Sequence, residues 1–504
     1  MRATLNSLPI LVILLGASGL MMFVPSIVAA NYGDGPSARA FAQSGLFTFL
    51  VTAFVAIASR GLAPVHQVRA QLLALLIGFL ALPLVLALPF RASISDTSFT
   101  NAYFEMVSAL TTTGATLYDA PGRLSEAEAF WRAFVAWNGG FLMWSAAVAL
   151  FAPMGLGGYE VAAKRGPAVG IGAQAGQERP ATERLLRAAS QLFPVYTGLS
   201  LVLFVGLLLA GDAPLTAGMH AMSTIATAGY SPVGGMENAG SGRLGEVLVA
   251  AFLIFALSRR TFSDGVLGDA TRDIRADPEL RIAATVILLI SLGLFLRHYL
   301  AATQIDQSVG FLSALRALWG TIFTTLSFLT TTGYASADWL TARGWSGIEA
   351  PGLLLMGLAL MGGGVATTAG GVKLLRVYAL LKHGEREIGR LVYPSSVGGA
   401  GRFARHIRRE GAFIAWIVFM LLGLSIAVVM IALSATGAQF ETALILTIAA
   451  LTNTGPLADF ATAEPIALAP LSLTAKYIIA AAMVVGRLET LVIVALLNPA
   501  FWRS

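Results

Sequence analysis

The stretch SFTNAYFEMVSALTTTGATLYD, residues 98–119, sets a short apolar segment in front of Thr111–Thr112–Thr113–Gly114. A dozen residues cannot cross a bilayer core as a helix, which takes about 20. They are the length of a re-entrant helix that enters the membrane, breaks at glycine and leaves on the same side. One such step is also what many ordinary helix ends look like, with glycine as the left-handed cap.

The step recurs three more times. TAGMHAMSTIAT, LWGTIFTTLSFLT and ETALILTIAALT are each about a dozen residues long, and each runs into the same Thr/Asn–x–Gly pattern. The four copies are Thr112–Thr113–Gly114, Thr227–Ala228–Gly229, Thr331–Thr332–Gly333 and Asn453–Thr454–Gly455. They lie roughly 110 residues apart, one per pair of long apolar runs, so the chain is internally repeated before any fold is assumed. Four C-caps in unrelated loops would not keep step with the apolar runs.

Composition agrees. The 504 residues are 56% hydrophobic and 12% charged, with mean hydropathy +0.76, far from a soluble domain. Runs such as GAFIAWIVFMLLGLSIAVVMIALS (411–434) carry no charge over a bilayer-spanning length. About ten spans are expected, at 5–29, 40–59, 70–90, 130–153, 192–211, 244–262, 281–300, 350–381 (interrupted), 411–434 and 471–497. The apolar part of the first is longer than the core of a secretory signal, so it reads as a span.

The net charge of +6 is concentrated rather than spread. Loops 154–190, 259–281 and 382–410 hold Lys164, Arg165, Arg179, Arg259, Arg272, Lys382, Arg402 and further arginines, whereas 436–470 has Glu441, Asp459 and Glu464 with no Lys or Arg. By the positive-inside rule the three basic loops are cytoplasmic and, with ten spans, so are both termini. The basic residues are topology signals, not a nucleic-acid surface.

The expected fold is an all-α polytopic membrane protein with an N-terminal helical hairpin (1–65) and four M1-P-M2 repeats (span, re-entrant pore helix, span). These cover 66–165, 166–275, 276–400 and 401–504, with fourfold pseudosymmetry and four re-entrant pore helices. Irregular backbone at membrane depth must be buried in protein or line water. Four such loops about one axis would line a pore. Carbonyl oxygens there can replace the hydration shell of a monovalent cation, and half-helices aimed at the axis by their C-terminal ends add a negative dipole end.

Other chemistries find little footing. Zero cysteines exclude disulfides, thiolate metal sites and cysteine nucleophiles. No Walker-type GxxxxGK[ST] is present, and GIGAQAG (170–176) sits in a loop too short for a dinucleotide-binding βαβ unit. His66, His220, His298, His383 and His406 are scattered, with no HExxH, so the chain does not read as an enzyme. A secondary transporter of an organic solute would show two inverted repeats and one or two broken spans rather than four same-sense repeats.

With these residues in view, the chain resembles the Trk/Ktr/HKT superfamily of potassium transporters, and most of all its bacterial TrkH branch. FEMVSALTTTGAT, AMSTIATAGYS, LSFLTTTGYA and LTNTGPLADF are similar to its four filter loops. MGGGVATTAGGVKLLRVYALLK (361–382) is similar to its glycine-rich third-repeat segment, and VVGRLETLVIVALLNPAFWR (484–503) to its last span. The likeness covers nearly the whole chain, including the initial hairpin. It implies a homodimer in the bacterial inner membrane with one ion pathway per subunit. K+ would be the transported ion and no organic cofactor would sit on this chain. A separate TrkA-type cytoplasmic ring that binds nucleotides would regulate it. Serine at the first filter position goes with Na+ permeation in relatives, so Gly114, Gly229, Gly333 and Gly455 favour K+. Channel-like uptake and K+ symport with H+ or Na+ both fit the sequence. Ala228, Asn453 and Pro456 depart from the common pattern, so an asymmetric, less selective filter is expected.

Residues 361–371 hold Gly362, Gly363, Gly364, Gly370 and Gly371 inside one span, enough to break its helix near mid-membrane. In the family the corresponding loop hangs below the filter as a gate, and Thr367 and Thr368 would there offer hydroxyls to ions; close helix packing through small residues is the alternative. Lys373 would bias ions or anchor the loop. Arg376 reads as an inner-interface charge that snorkels. Arg487 lies about 16 Å from the inner end of its helix, too far to snorkel. By resemblance it is an electrostatic barrier below the filter, and otherwise a partner in an interhelical salt bridge. Glu105 and Glu441 read as helix N-terminal acids that complement the dipole, with Glu105 able to tie its helix to a neighbour.

Overall fold

A computed structural model describes residues 9–59, 68–118, 120, 122–159, 161, 181–258, 277–304, 311–339, 352–392, 409–462 and 464–489. The expected boundaries near 65, 165, 275 and 400, the stretch 170–176, the last residues of the expected span 471–497 and most of the basic loop residues lie outside them.

Among the described residues the chain is helical, without strands. In order the helices are α1 (Ile10–Asn31), α2 (Gly35–Ala58), α3 (Val68–Ser93), α4 (Phe99–Leu110), α5 (Glu126–Ala146), α6 (Ala181–Leu209), α7 (Pro214–Ala226) and α8 (Gly242–Leu253). They continue as α9 (Pro278–Gln304), α10 (Phe311–Leu329), α11 (Gly352–Met361), α12 (Leu374–Val392), α13 (Arg409–Ser434), α14 (Phe440–Thr452) and α15 (Leu473–Leu488).

Local chemistry starts several of them. The Asp34 carboxylate accepts from the Ser37 N–H at 3.1 Å with Pro36 in the first turn of α2. Ser98 accepts from Asn101 N–H at the head of α4, and Ser472 from Ala475 N–H at the head of α15. Each side chain satisfies an N–H that the first turn leaves free.

Among the described residues, eight helices are long and apolar enough to span a membrane. Seven coincide with spans read from the sequence; the eighth, Leu312–Leu329, is the third half-helix. At 19 residues α10 is longer than α4, α7 and α14, which have 12, 13 and 13. Its first turns extend N-terminally of the segment expected from sequence. The remaining three expected spans are shorter or broken here: α8 gives way to a 3-10 turn at Ile254–Ala256, 350–381 is split between α11 and α12, and α15 is described to Glu489.

The half-helices close a ring. Each packs against its two flanking spans and the second span of the unit before it: α4 against α3, α5 and α15; α7 against α6, α8 and α5; α10 against α9, α11 and α8; α14 against α13, α15 and α11. The contact of α15 with α4 joins the end of the chain to its first half-helix. Since lipid is as apolar as leucine, close approach rather than apolar burial drives such packing. A Cβ on Gly139 of α5 would fall 2.1 Å from Leu110 O, and one on Gly486 of α15 would fall 2.3 Å from Leu451 O. Two half-helix ends therefore rest directly on backbone.

Candidate functional site

Each half-helix ends alike. Thr112, Thr227, Thr331 and Asn453 have φ of 54°, 53°, 58° and 54°, the left-handed region. The next residue's N–H then turns back to the carbonyl five positions earlier: Thr113 to Ser108 (2.8 Å), Ala228 to Ser223 (2.9 Å), Thr332 to Ser327 (2.9 Å) and Thr454 to Ala449 (2.8 Å). This is a Schellman-type ending. The left-handed cap is therefore the Thr or Asn, two places before the glycine. An L-residue held there is strained by about 1–2 kcal/mol, and strain of that kind persists only where surrounding structure imposes it.

The glycines serve close approach between loops. A Cβ on Gly114 would lie 1.9 Å from Ala228 O, one on Gly229 would lie 2.3 Å from Thr332 O, one on Gly333 would lie 2.8 Å from Pro456, and one on Gly455 would lie 2.1 Å from Ala115 N. The contacts run first loop to second, second to third, third to fourth and fourth to first. Gly455 differs from the other three in lacking a positive φ. Its N–H donates to Thr113 O at 2.6 Å. The Asn453 amide donates to Thr113 Oγ1 at 3.0 Å and to Met483 O at 2.9 Å, two bonds that a threonine at this position could not make together. Pro456 lies within 3.5 Å of Cβ positions on Gly114, Gly229 and Gly333 alike, so its ring occupies the point where those loops converge.

Behind the loops, buried polar groups hold the residues C-terminal to three of the glycines. Glu105 is fully buried; it accepts from Leu117 N–H at 2.5 Å and Thr116 Oγ1 at 3.0 Å, and faces Arg132 at 3.5 Å. It is thus more than a dipole complement. In the second loop His220 Nε2 shares a hydrogen bond with Ser231 Oγ at 2.9 Å, with Asp212 on its other side at 3.5 Å. In the third, Glu246 of α8 accepts from Ala337 N–H, Ser336 Oγ and Trp319 Nε1, each at 2.8 Å. Tyr334 OH donates to Tyr230 O at 2.8 Å, and Tyr230 OH to Ser108 Oγ at 3.2 Å, which strings the third, second and first loops together. Hydroxyl pairs brace three loops, Thr111 with Thr113, Thr330 with Thr332 and Thr452 with Thr454. The second has Ala226 and Ala228 at those places.

The glycine-rich segment is a true break. Between α11 and α12 the chain folds back, with Val372 N–H to Leu360 O at 2.9 Å, Lys373 N–H to Met361 O at 3.0 Å and Leu374 N–H to Gly363 O at 2.9 Å. Gly362, Ala366, Gly371 and Lys373 have positive φ. The segment lies against three of the loops. Thr368 Oγ1 donates to Ile225 O at 3.0 Å, and Gly370 N–H donates to Thr331 Oγ1 at 2.7 Å. A Cβ on Gly370 would fall 2.0 Å from Thr452 O. Thr367 Oγ1 turns back to Gly364 O at 2.8 Å. A cavity beside Thr224, Ile225, Thr367 and Thr368 is walled by Trp144, Tyr196, Phe252 and Phe255.

The cations around the break, Lys373, Arg376 and Arg487, are all buried in the fold. Lys373 Nζ donates to Ala369 O, within the segment itself. Arg376 does not snorkel: it is buried, and its Nη2 meets Glu489 at 2.6 Å. Arg487 is buried with Nη1 donating to Thr368 O at 2.6 Å; among the described residues it meets no carboxylate, and its Nε and Nη2 lack hydrogen-bond partners. The interhelical salt bridge considered for Arg487 belongs to Arg376. Glu246, Tyr230 and Tyr334 carry no motif of their own in the sequence; the Gly–Tyr step in the second and third loops is the one visible signal for the tyrosines.

Outside the membrane, Arg123 bonds Asp96 and holds that carboxyl below its usual range. Burial, with the nearby charge of Glu246 adding to it, pushes the Glu237 carboxyl up to about 7.

The twelve loop positions carry only carbonyls, hydroxyls and one amide. Neutral oxygens suit a weakly hydrated monovalent cation, whereas tight divalent sites are built on carboxylates. Comparison with known proteins agrees with this chemistry. The family model described as TrkH, cation transport protein, matches residues 38–234 and 280–503. The Trk system potassium uptake proteins TrkH of Salmonella typhimurium and Escherichia coli K12 are each 30% identical to the chain, over 100% of it and 99% of their own length. The crystal structure of the potassium transporter TrkH from Vibrio parahaemolyticus superposes with a TM-score of 0.80 at 27% identity, covering 100% of both chains. The chain belongs to the TrkH family of cation transport proteins.

Proposed function

We propose that this chain carries K+ into a bacterial cell across the cytoplasmic membrane. The ion would pass a filter made of residues 112–114, 227–229, 331–333 and 453–455. The observation that carries the reading is the fourfold recurrence of one backbone ending, a left-handed Thr or Asn two residues before a glycine pressed against the next loop. Relatives that match along their whole length bear the name potassium uptake protein. The four units run over 66–165, 166–275, 276–400 and 401–504 behind the hairpin 1–65.

Residues 362–364, 367, 368, 370, 371, Lys373 and Arg487 form the gate. The segment lies under three filter loops, and Arg487 puts a positive charge against it, a barrier to cations in a low-dielectric setting. Conduction is channel-like. A separate nucleotide-binding ring sets the gate from the cytoplasm, where both termini lie, and two copies of the chain associate as a homodimer.

The test is uptake of K+, Rb+, Na+ and Li+ by proteoliposomes holding the purified protein, alongside Gly333→Ser. Fast K+ and Rb+ entry that loses discrimination in the variant supports the filter. Flux indifferent to Gly333, or uptake that demands a proton or Na+ gradient, would replace it with the symport reading or with a purely structural one.

A further inference from the structure

Glu279 is the second residue of α9 and is buried. An acid in the first turn of a helix ordinarily faces that helix's own free N–H groups. This one reaches instead across the fold: its Oε1 accepts from the Val365 N–H, 86 residues away, at 2.8 Å. Val365 is wholly buried in the break between α11 and α12. The adjacent N–H, that of Gly364, is taken by Ala256 O at 2.9 Å. Two consecutive amides of the segment are thus held from outside it.

The two holders are themselves joined. Ser258 Oγ donates to Asp277 Oδ2, and Asp277 Oδ1 accepts from Glu279 N–H at 3.0 Å. Residues 256–258 and 277–279 form one clamp, made from the end of the α8 run and the start of α9. A carboxylate-to-amide bond is roughly twice as strong as a neutral one, and at membrane depth no water replaces a lost acceptor. In sequence the clamp brackets 259–276, a stretch whose arginines read as cytoplasmic by the positive-inside rule.

We infer that Glu279 is the latch of the gate: its carboxylate holds Val365, and with it the glycine-rich segment, under the filter, and displacement of the clamp from the cytoplasmic side releases it. The inference rests on reading 362–373 as a gate. Glu279 is a positioning residue that acts through Val365. Nearby, Arg376 pairs with Glu489, and Lys373 bonds Ala369 O.

The experiment measures K+ flux into proteoliposomes without any regulatory partner, for wild type, Glu279→Gln and Thr368→Val. The latch predicts about tenfold faster flux in Glu279→Gln, whose amide oxygen still accepts from the Val365 N–H but as a neutral group and so more weakly, with K+ over Na+ preference unchanged. Because the chain has no cysteine, Thr367→Cys supplies a second readout. Its labelling by a thiol reagent from the cytoplasmic side should accelerate when Glu279→Gln is added, in protein of unchanged elution volume. If Thr368→Val raises flux while Glu279→Gln changes neither flux nor labelling, the latch is wrong and the gate stands. If no variant alters flux or labelling, the gate reading falls and takes the latch with it.

Discussion

The four outer loops and the single inner break are both interruptions of helix by glycine, yet they are held by different means. Each outer loop repeats one local rule, a left-handed residue and an amide turned back five positions, so most of its geometry is made within its own segment. The inner break takes bonds from Ala256, Glu279, Ile225, Thr331 and Arg487, spread over most of the chain. A loop whose turn is set within its own segment and braced by its neighbours on either side is held rigidly. One held from a distance moves when any holder moves, which suits a filter in the first case and a gate in the second.

That contrast can be broken most sharply at Gly114. Alanine there would set a Cβ 1.9 Å from Ala228 O at φ +76°, where strain alone costs about 1–3 kcal/mol. Loss of K+ over Na+ discrimination is expected together with a lowered Tm, read by cation competition and thermal unfolding in detergent. Retention of both would mean that the loops are not tightly packed.

Arg487→Ala tests the inner side. It removes the guanidinium bonded to Thr368 O and the charge beside the break. K+ conductance should rise several-fold with cation preference intact, since the outer loops keep their own bonds. Single-channel or flux recordings would show it, and a fall in conductance with normal assembly would oppose the barrier role.

The second loop offers a way to sharpen the comparison among the outer four. Ala226→Thr with Ala228→Thr would install the hydroxyl pair that braces the other three. One added hydrogen bond contributes about 1 kcal/mol, so a modest rise in K+ over Na+ preference is expected. Lower preference would show that the loop needs its small side chains.

A last test concerns pH at Glu237, which follows the second loop. The Glu237 carboxyl titrates near 7 when folded, against an ordinary value of 4.5. A group whose folded value is raised contributes stability below the unfolded value, and that contribution is lost as pH rises through the folded one. Between pH 4.5 and about 7 the wild type should therefore lose stability that Glu237→Gln retains. Tm profiles of the two proteins would diverge across this window, and parallel profiles would place the titration elsewhere.

Legibility followed the same division. The apolar runs and the four Thr/Asn–x–Gly steps announced spans and half-helices because span length and helix breaking are one-dimensional properties. Arg376 and Arg487 could not be sorted this way. Both are lone cations in apolar helices, and only the folded chain sets one against Glu489 and the other against a carbonyl of the break. Glu279 was invisible for a similar reason, since an acid in a first turn has an ordinary local use that hides a distant one. Even the glycines take a part beyond the positive φ that local preference allows Gly114, Gly229 and Gly333. Glycine is the usual left-handed cap, but here the cap is Thr or Asn and the glycines serve close approach between loops.

Sequence alone determined the membrane-spanning helical class, the number of half-helices and where each breaks, because the bilayer enforces length, apolarity and backbone satisfaction on every segment separately. Tertiary structure decided the closing of α15 onto α4, the passing of each glycine against the next loop and the pairing of buried charges. Those depend on distances between residues up to hundreds of positions apart, which no single segment contains.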